Sequence, residues 1–206
     1  MKSDFVESET IERYANEVLS DHHSSKEIPI PIELIIEKNL NIQIVALRNL
    51  VQEEKIEAYV SGDLTRIYID ESMFLTNEKK SRFALAHELG HLVLHKEIIK
   101  SINTELDKWR KFVLGECQGK APYEVQADKF AGYLLMPSKQ LLAKYTEAKK
   151  KVINEFSKYD KSIPKDSKII EYCADHIANI FFVPEIYARI RLEEEILLKR
   201  NPEENI

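Results

Sequence analysis

The sequence of 206 residues is poor in glycine and cysteine and lacks long apolar runs. Its five glycines include no pair with G-x-G spacing, and Gly119-Lys120 is not followed by Ser or Thr, so the dinucleotide fingerprint and the P-loop are both absent. Two cysteines are too few for a disulfide framework. No apolar run reaches the ~18 residues of a membrane helix, and the first residues do not resemble a secretory signal. We therefore expect a cytoplasmic protein that does not enter a membrane.

Basic residues are also in the minority. The chain has 30 Lys and Arg against 35 Asp and Glu, which gives a net charge of -5. This balance argues against direct nucleic-acid binding, which needs clustered cations to displace counterions from phosphates. The lysine-rich stretch 143–168 has few large apolar residues, and we interpret it as a solvated helical excursion. A hydrophobic share of 44% is sufficient for a packed core.

The spacing of apolar residues predicts an α+β protein that is mostly helical, with a small three-stranded sheet. Short β-rich runs occupy the first half, and Gly62-Asp63 between the last two predicts a hairpin. These runs span 41–47, 56–61 and 66–70. Most of the remainder has helical periodicity, and Thr76 or Asn77 could cap the central helix. The expected helices span 4–21, 31–38, 77–95, 97–113, 122–135, 138–158, 166–180 and 184–199.

The length predicts a single domain over residues 1–206, since domains have roughly 150 residues. Within it we expect residues 1–30 to form an N-terminal helix and linker. Residues 31–137 would form the core that carries the functional site, and residues 138–206 the C-terminal helices. The sequence does not indicate an oligomeric state.

The strongest motif is His87-Glu88-Leu89-Gly90-His91, an H-E-x-x-H pattern within a predicted buried helix. Residues four apart project from nearly the same helix face, so both imidazoles can reach one ion. Zinc accepts histidine nitrogens as ligands, and Glu88 lies close enough to act on a bound water without being a ligand itself. We therefore predict a Zn²⁺ site with His87 and His91 as ligands and Glu88 as the catalytic residue.

A catalytic zinc usually has three protein ligands and one open position. The pattern H-E-x-x-H-x-x-G-x-x-H is excluded, because Leu94 and Glu97 stand where its last glycine and histidine should be. The alternative takes a glutamate from a later helix, in the pattern E-x-x-x-D, and Glu124 and Asp128 match it. Glu124 is the predicted third ligand, and Asp128 would accept a hydrogen bond from a ligand histidine and fix its tautomer.

The sequence leaves the roles of several other residues open. Glu116 and Cys117 are competitors for the third ligand position. His95 is expected to pack beside a ligand or to orient it, in preference to binding the metal. Tyr59 and His176 are candidate donors to a developing oxyanion, and nothing in the sequence chooses between them.

Two stretches together resemble the ImmA/IrrE family of zinc metallo-endopeptidases. The first runs from Arg82 to His91 and is followed by Leu94-His95. The second runs from Glu124 to Pro137 and has every specified position of the family pattern E-x-E/Q-A-N/D-x-F-A-x-x-L-L-M-P. Weaker similarity extends over roughly residues 10–195.

This resemblance implies a minigluzincin-like metalloprotease domain, with a small sheet beside the zinc helix. It also implies an endopeptidase whose protein substrate is a transcriptional repressor of the helix-turn-helix type. Nothing in the composition or the spacing of residues points to that substrate.

Two other kinds of function are compatible with the sequence. One is a non-catalytic, zinc-containing regulator, such as one half of a toxin–antitoxin-like pair. Glu88 argues against it, because a purely structural zinc site does not need this glutamate. The other is a small hydrolase that acts on a non-peptide amide.

Overall fold

A computed structural model of the protein describes residues 6–25, 27–102, 121–159 and 162–198. The chain forms two compact units, Met1–Leu134 and Leu135–Ile206. Within the described ranges, none of the helices combines the length and the apolar character needed to cross a membrane. The expectation of one domain over residues 1–206 stays a prediction.

The first unit contains the sheet and most of the predicted helices of the first two thirds of the chain. Its elements are α1 (Ser8–His22), α2 (Ile32–Leu34, continued by a π-helical turn at Ile35–Asn39), β1 (Gln43–Leu47), α3 (Leu50–Glu54), β2 (Ala58–Val60), β3 (Arg66–Asp70), α4 (Glu71–Thr76), α5 (Glu78–Leu94), α6 (Lys96–Ile102) and α7 (Ala121–Leu135). The predicted helix over 97–113 is present up to residue 102, and its remainder lies outside the described residues.

The three strands form one mixed sheet in the order β1-β3-β2. β1 is parallel to β3, and β2 is antiparallel to β3, with Tyr59 opposite Tyr68. The predicted hairpin at Gly62-Asp63 is confirmed, because its turn is closed by a 2.9 Å hydrogen bond from the Leu64 N–H to the carbonyl oxygen of Ser61. The predicted α+β class, mostly helical with a small three-stranded sheet, is therefore correct.

Two short helices on either side of β2 and β3 were not predicted, and one carboxylate stabilises the start of both. Asp70 accepts a hydrogen bond from the Met73 N–H (2.9 Å) at the start of α4 and another from the Val51 N–H (3.0 Å) in the first turn of α3. These backbone hydrogen bonds lower the pKa of Asp70 below its ordinary value of 3.8. The buried carboxylate thus satisfies N–H groups that a helix start leaves without internal partners.

Replacing Asp70 with Asn is expected to destabilise the protein by about 1 kcal/mol at pH 7, because the amide nitrogen cannot accept one of the two backbone N–H groups. The charged carboxylate stabilises the fold at pH values above 3.8, and this contribution is lost as the pH falls through the lower pKa of the folded state. The difference in unfolding free energy between wild type and Asp70→Asn, measured with urea, should therefore shrink in acid. Glu71→Gln changes the neighbouring carboxylate, which pairs with the exposed Arg48, and serves as the control. A difference that is equal at pH 7 and in acid would contradict this account.

Helix α5 lies at the centre of the first unit and is buried on nearly all sides, as expected for a helix that packs in the middle of a domain. Asn77 caps it, as one of the two predicted alternatives, by accepting a hydrogen bond from the Lys80 N–H (3.2 Å). Strands β2 and β3 pack against it. The buried Arg82 guanidinium donates to the Ile30 carbonyl oxygen (2.5 Å) and to Glu33 (3.3 Å), which fixes the segment before α2 on α5.

The second unit consists of helices α8 (Ser138–Lys158), α9 (Asp166–Phe181) and α10 (Glu185–Glu193, continued by a π-helical turn at Glu194–Leu198). The buried Arg191 donates to Glu195 (2.8 Å) and to Ser138 (2.7 Å), which joins the start of α8 to the last helical segment. The interpretation of 143–168 as a solvated excursion is wrong for Tyr145, which is 3% exposed. The spacing of Leu141, Tyr145 and Ala148 gives α8 an apolar face that the lysines obscure in the sequence.

Candidate metal centre

Helix α5 places the two histidines of the H-E-x-x-H motif one turn apart on the same face. The Nε2 atoms of His87 and His91 lie 3.1 Å apart, and their rings meet edge to face. His91 is 5% exposed, whereas 16% of the His87 side chain is accessible to solvent. The predicted pairing of these imidazoles is therefore present.

Helix α7 brings Glu124 to the same point. Its Oε2 lies 3.3 Å from His87 Nε2, and its Oε1 lies 3.4 Å from His91 Nε2. The close approach of the two helices depends on Gly90, because a Cβ there would lie 3.1 Å from Phe130 Cδ1 and 3.2 Å from the Cα and O atoms of Ala127. The absence of a side chain at Gly90 allows α7 to pack directly on the motif helix.

The three side chains fit a metal ion. His87, His91 and Glu124 each offer one donor atom, and all these atoms lie within 4.8 Å of one another. Zinc–nitrogen bonds of ~2.0–2.1 Å in a tetrahedron place neighbouring ligand atoms about 3.3 Å apart. The observed separations of 3.1, 3.3 and 3.4 Å are close to that value. Two imidazoles and one carboxylate are also the donor set of one class of catalytic zinc sites.

Asp128 lies one turn after Glu124 on α7 and contacts His87. Its Oδ1 accepts a 2.8 Å hydrogen bond from His87 Nδ1, so Nε2 is the nitrogen that faces the shared point. Burial opposes the charged form of His87, but hydrogen bonds to Asp128 and Glu124 outweigh it and raise the pKa of His87 to about 10. Burial would likewise raise the pKa of Glu124, but the two imidazoles lower it well below the ordinary range. The cluster thus stabilises negative charge on Glu124 and positive charge beside it.

His95 does not join the cluster of donor atoms. Its Nδ1 lies 2.9 Å from His91 Nδ1, and its Nε2 lies 3.0 Å from Gln126 Oε1. Tyr123 meets the His95 ring edge to face, with centroids 5.0 Å apart. Burial lowers the pKa of His95 to about 4, so the ring is neutral at pH 7. The role of Gln126 was not predicted, although the family pattern includes this position.

Glu88 lies on α5 between the two histidines and is 8% exposed. Its negative charge is close enough to favour the protonated form of His87. Glu88 is thus a buried carboxylate next to His87 in sequence that does not belong to the set of clustered donor atoms.

The other candidates lie on other elements or outside the described residues. Glu116 and Cys117 are among the residues that the structure does not describe. Tyr59 lies on β2 and stacks on Tyr68, with ring centroids 4.9 Å apart. His176 lies on α9 in the second unit. The proposed oxyanion roles of Tyr59 and His176 stay predictions.

Replacing Gly90 with Ala is expected to reduce both stability and metal affinity. Alanine is favoured over glycine in a helix by about 1 kcal/mol, but forcing a methyl group into a packed site costs about 1–3 kcal/mol. The contact with Ala127 is made by backbone atoms, so relief requires α7 to shift, and Glu124 shifts with it. Urea unfolding of the metal-free protein and titration with zinc measure the two effects.

Ala84→Gly on the same helix is the control, because it measures how much glycine costs relative to alanine in α5. A Gly90→Ala protein that is more stable than wild type and binds zinc equally well would show that the close approach of α5 and α7 is not required.

The α+β fold and its His-His-Glu cluster on two packed helices fit a metallopeptidase. The sequence profile of peptidase M78, described as the IrrE N-terminal-like domain, matches residues 37–193. Because this match covers most of the chain, the chain belongs to the ImmA/IrrE family of peptidases.

A structure described as a Mycobacterium tuberculosis transcriptional regulator is similar in fold, with a TM-score of 0.55 and 15% sequence identity. The similarity covers 92% of this chain and 57% of that chain. No curated protein matches the chain.

Proposed function

We propose that the protein is a zinc-dependent endopeptidase that cleaves a helix-turn-helix transcriptional repressor. The observation that carries this proposal is the position of Glu88, a buried carboxylate on the same helix as two of the three clustered donor residues. The membership of the chain in a peptidase family supports the choice of a peptide bond over another amide.

His87, His91 and Glu124 would hold the ion in this proposal. A zinc ion bound there would polarise the carbonyl of the scissile peptide bond and lower the pKa of a bound water towards 7. Asp128 holds His87 in the tautomer with a free Nε2 lone pair, through the 2.8 Å hydrogen bond. Three protein ligands leave one position open for water or substrate.

Glu88 would accept the proton from the attacking water as the water oxygen forms a bond to the carbonyl carbon. It would then donate that proton to the amine nitrogen of the leaving peptide as the C–N bond breaks, so the carboxylate is regenerated after each cycle. A positioned acid/base of this kind contributes about 10²- to 10⁴-fold to the rate.

The choice of a repressor as the substrate rests on the family resemblance. The test is to incubate the zinc-loaded protein with a helix-turn-helix repressor encoded by a neighbouring reading frame. Mass spectrometry should find one or a few defined cuts with the zinc-loaded protein and none after removal of the metal with a chelator. Full activity of the metal-free protein would contradict the mechanism. The cytoplasmic localisation stays a prediction.

A further inference from the structure

The two histidines of the cluster are oriented by different kinds of partner. His87 donates to the carboxylate of Asp128, which the E-x-x-x-D pattern predicts. His91 instead meets the ring of His95, which in turn meets Gln126. We propose that His95 and Gln126 are positioning residues that hold His91 in the tautomer whose Nε2 faces the metal. This inference rests on the proposed function.

The side-chain oxygen of Gln126 sets the direction of both hydrogen bonds. Gln126 Oε1 is an amide oxygen and can only accept, so His95 Nε2 carries a proton and donates to it over 3.0 Å. His91 Nε2 faces His87 Nε2 (3.1 Å) and Glu124 Oε1 (3.4 Å), so a His91 that binds the metal through Nε2 carries its one N–H at Nδ1, and His95 Nδ1 is the acceptor. His91 Nδ1 donates to that nitrogen over 2.9 Å, which leaves the lone pair of His91 on Nε2.

The three residues that form these two hydrogen bonds are all buried. Gln126 is 3% exposed, His95 is 2% exposed and His91 is 5% exposed. Water therefore does not readily replace any of the partners, and Tyr123 packs edge to face on His95. The geometry also excludes His95 as an additional ligand, because both of its ring nitrogens are engaged with groups other than His87 and Glu124.

Helix α7 thus acts on the cluster at three positions. Glu124 supplies a donor atom, Asp128 orients His87, and Gln126 orients His91 through His95. Outer partners of metal ligands typically contribute 10- to 100-fold to metal affinity. The two imidazoles are therefore oriented by one helix, which ties both tautomers to the packing of α7 on α5.

The test compares zinc affinity, measured by chelator competition, in four proteins: wild type, His95→Phe, His95→Asn and Gln126→Met. Phenylalanine retains an aromatic ring but cannot accept from His91, so we expect a loss of about 10- to 100-fold. Asparagine presents an oxygen near the position of Nδ1 and should recover most of the affinity. Gln126→Met removes the acceptor that sets the direction of the two hydrogen bonds, and we expect zinc affinity to fall about tenfold.

Val125→Ala, at an exposed position between Glu124 and Gln126, is the matched control and should bind zinc like wild type. Thermal unfolding of each metal-free variant separates a loss of fold from a loss of metal affinity. Failure of wild type to bind zinc would defeat the proposed function itself. Tight binding by wild type together with unchanged affinity in His95→Phe and Gln126→Met would overturn only the positioning role.

A second readout does not depend on substitution. Long-range ¹H–¹⁵N correlation spectra of the zinc-loaded wild type report which ring nitrogen of each histidine carries a proton. We expect protonation of His95 at Nε2 and of His91 at Nδ1. Protonation of His95 at Nδ1 would reverse the hydrogen bond between His95 and His91 and overturn the inference.

Discussion

Glu88→Gln is expected to lower kcat/KM for peptide cleavage by about 10²- to 10⁴-fold while zinc remains bound. The amide has nearly the same shape as the carboxylate, so packing around α5 should be preserved. It cannot accept the proton of the attacking water, however, and it cannot return that proton to the leaving amine. The measurement combines cleavage kinetics with the zinc content of the purified protein, because loss of the proton acceptor and loss of the ion would both reduce cleavage.

Glu97→Gln is the matched control for this substitution. Glu97 lies on α6, its side chain is 83% exposed, and it pairs with Lys100 on the surface. The control should cleave and bind zinc like wild type. Equal cleavage by wild type and Glu88→Gln would show that Glu88 does not carry the proton.

Glu124→Ala is expected to weaken zinc binding by more than the ~100-fold that an outer partner contributes, because it removes one of three ligands. Two imidazoles would then face each other without the carboxylate that contacts both, at 3.3 and 3.4 Å. Peptide cleavage should be lost together with the metal. Chelator competition and metal analysis after dialysis measure the effect.

Val125→Ala again provides the control, because it shortens the neighbouring, exposed side chain on α7. If Glu124→Ala retains zinc as tightly as wild type, the third ligand must be another residue. Glu116 and Cys117, the competitors named from the sequence, would then be the next residues to replace.

The central features of the candidate site were predictable because they depend on local helix geometry. The spacing of His87 and His91 fixes them on one face of α5, whatever surrounds that helix. Glu124 and Asp128 share a face of α7 for the same reason. The structure brings all four side chains together, while their catalytic and ligand roles stay proposals. The three strands and the hairpin were likewise readable from short β-rich runs and a turn, whereas the parallel pairing of β1 with β3 was not predicted.

The features that were missed depend on contacts between distant parts of the chain. Helices α3 and α4 are short, and Asp70 stabilises their starts from a position that reads as the end of a strand. The importance of Gly90 becomes visible only when α7 is placed against it. The pairing of His95 with Gln126 joins residues 31 positions apart. Periodicity describes one element at a time and does not report such pairings.

The most direct test of the proposed activity compares protein N-termini in cells that express either wild type or Glu88→Gln. We predict new N-termini within a helix-turn-helix repressor in the wild-type cells and their absence in the Glu88→Gln cells. Identical sets of N-termini in the two kinds of cell, with both proteins present and loaded with zinc, would contradict the proposal that this protein is an endopeptidase.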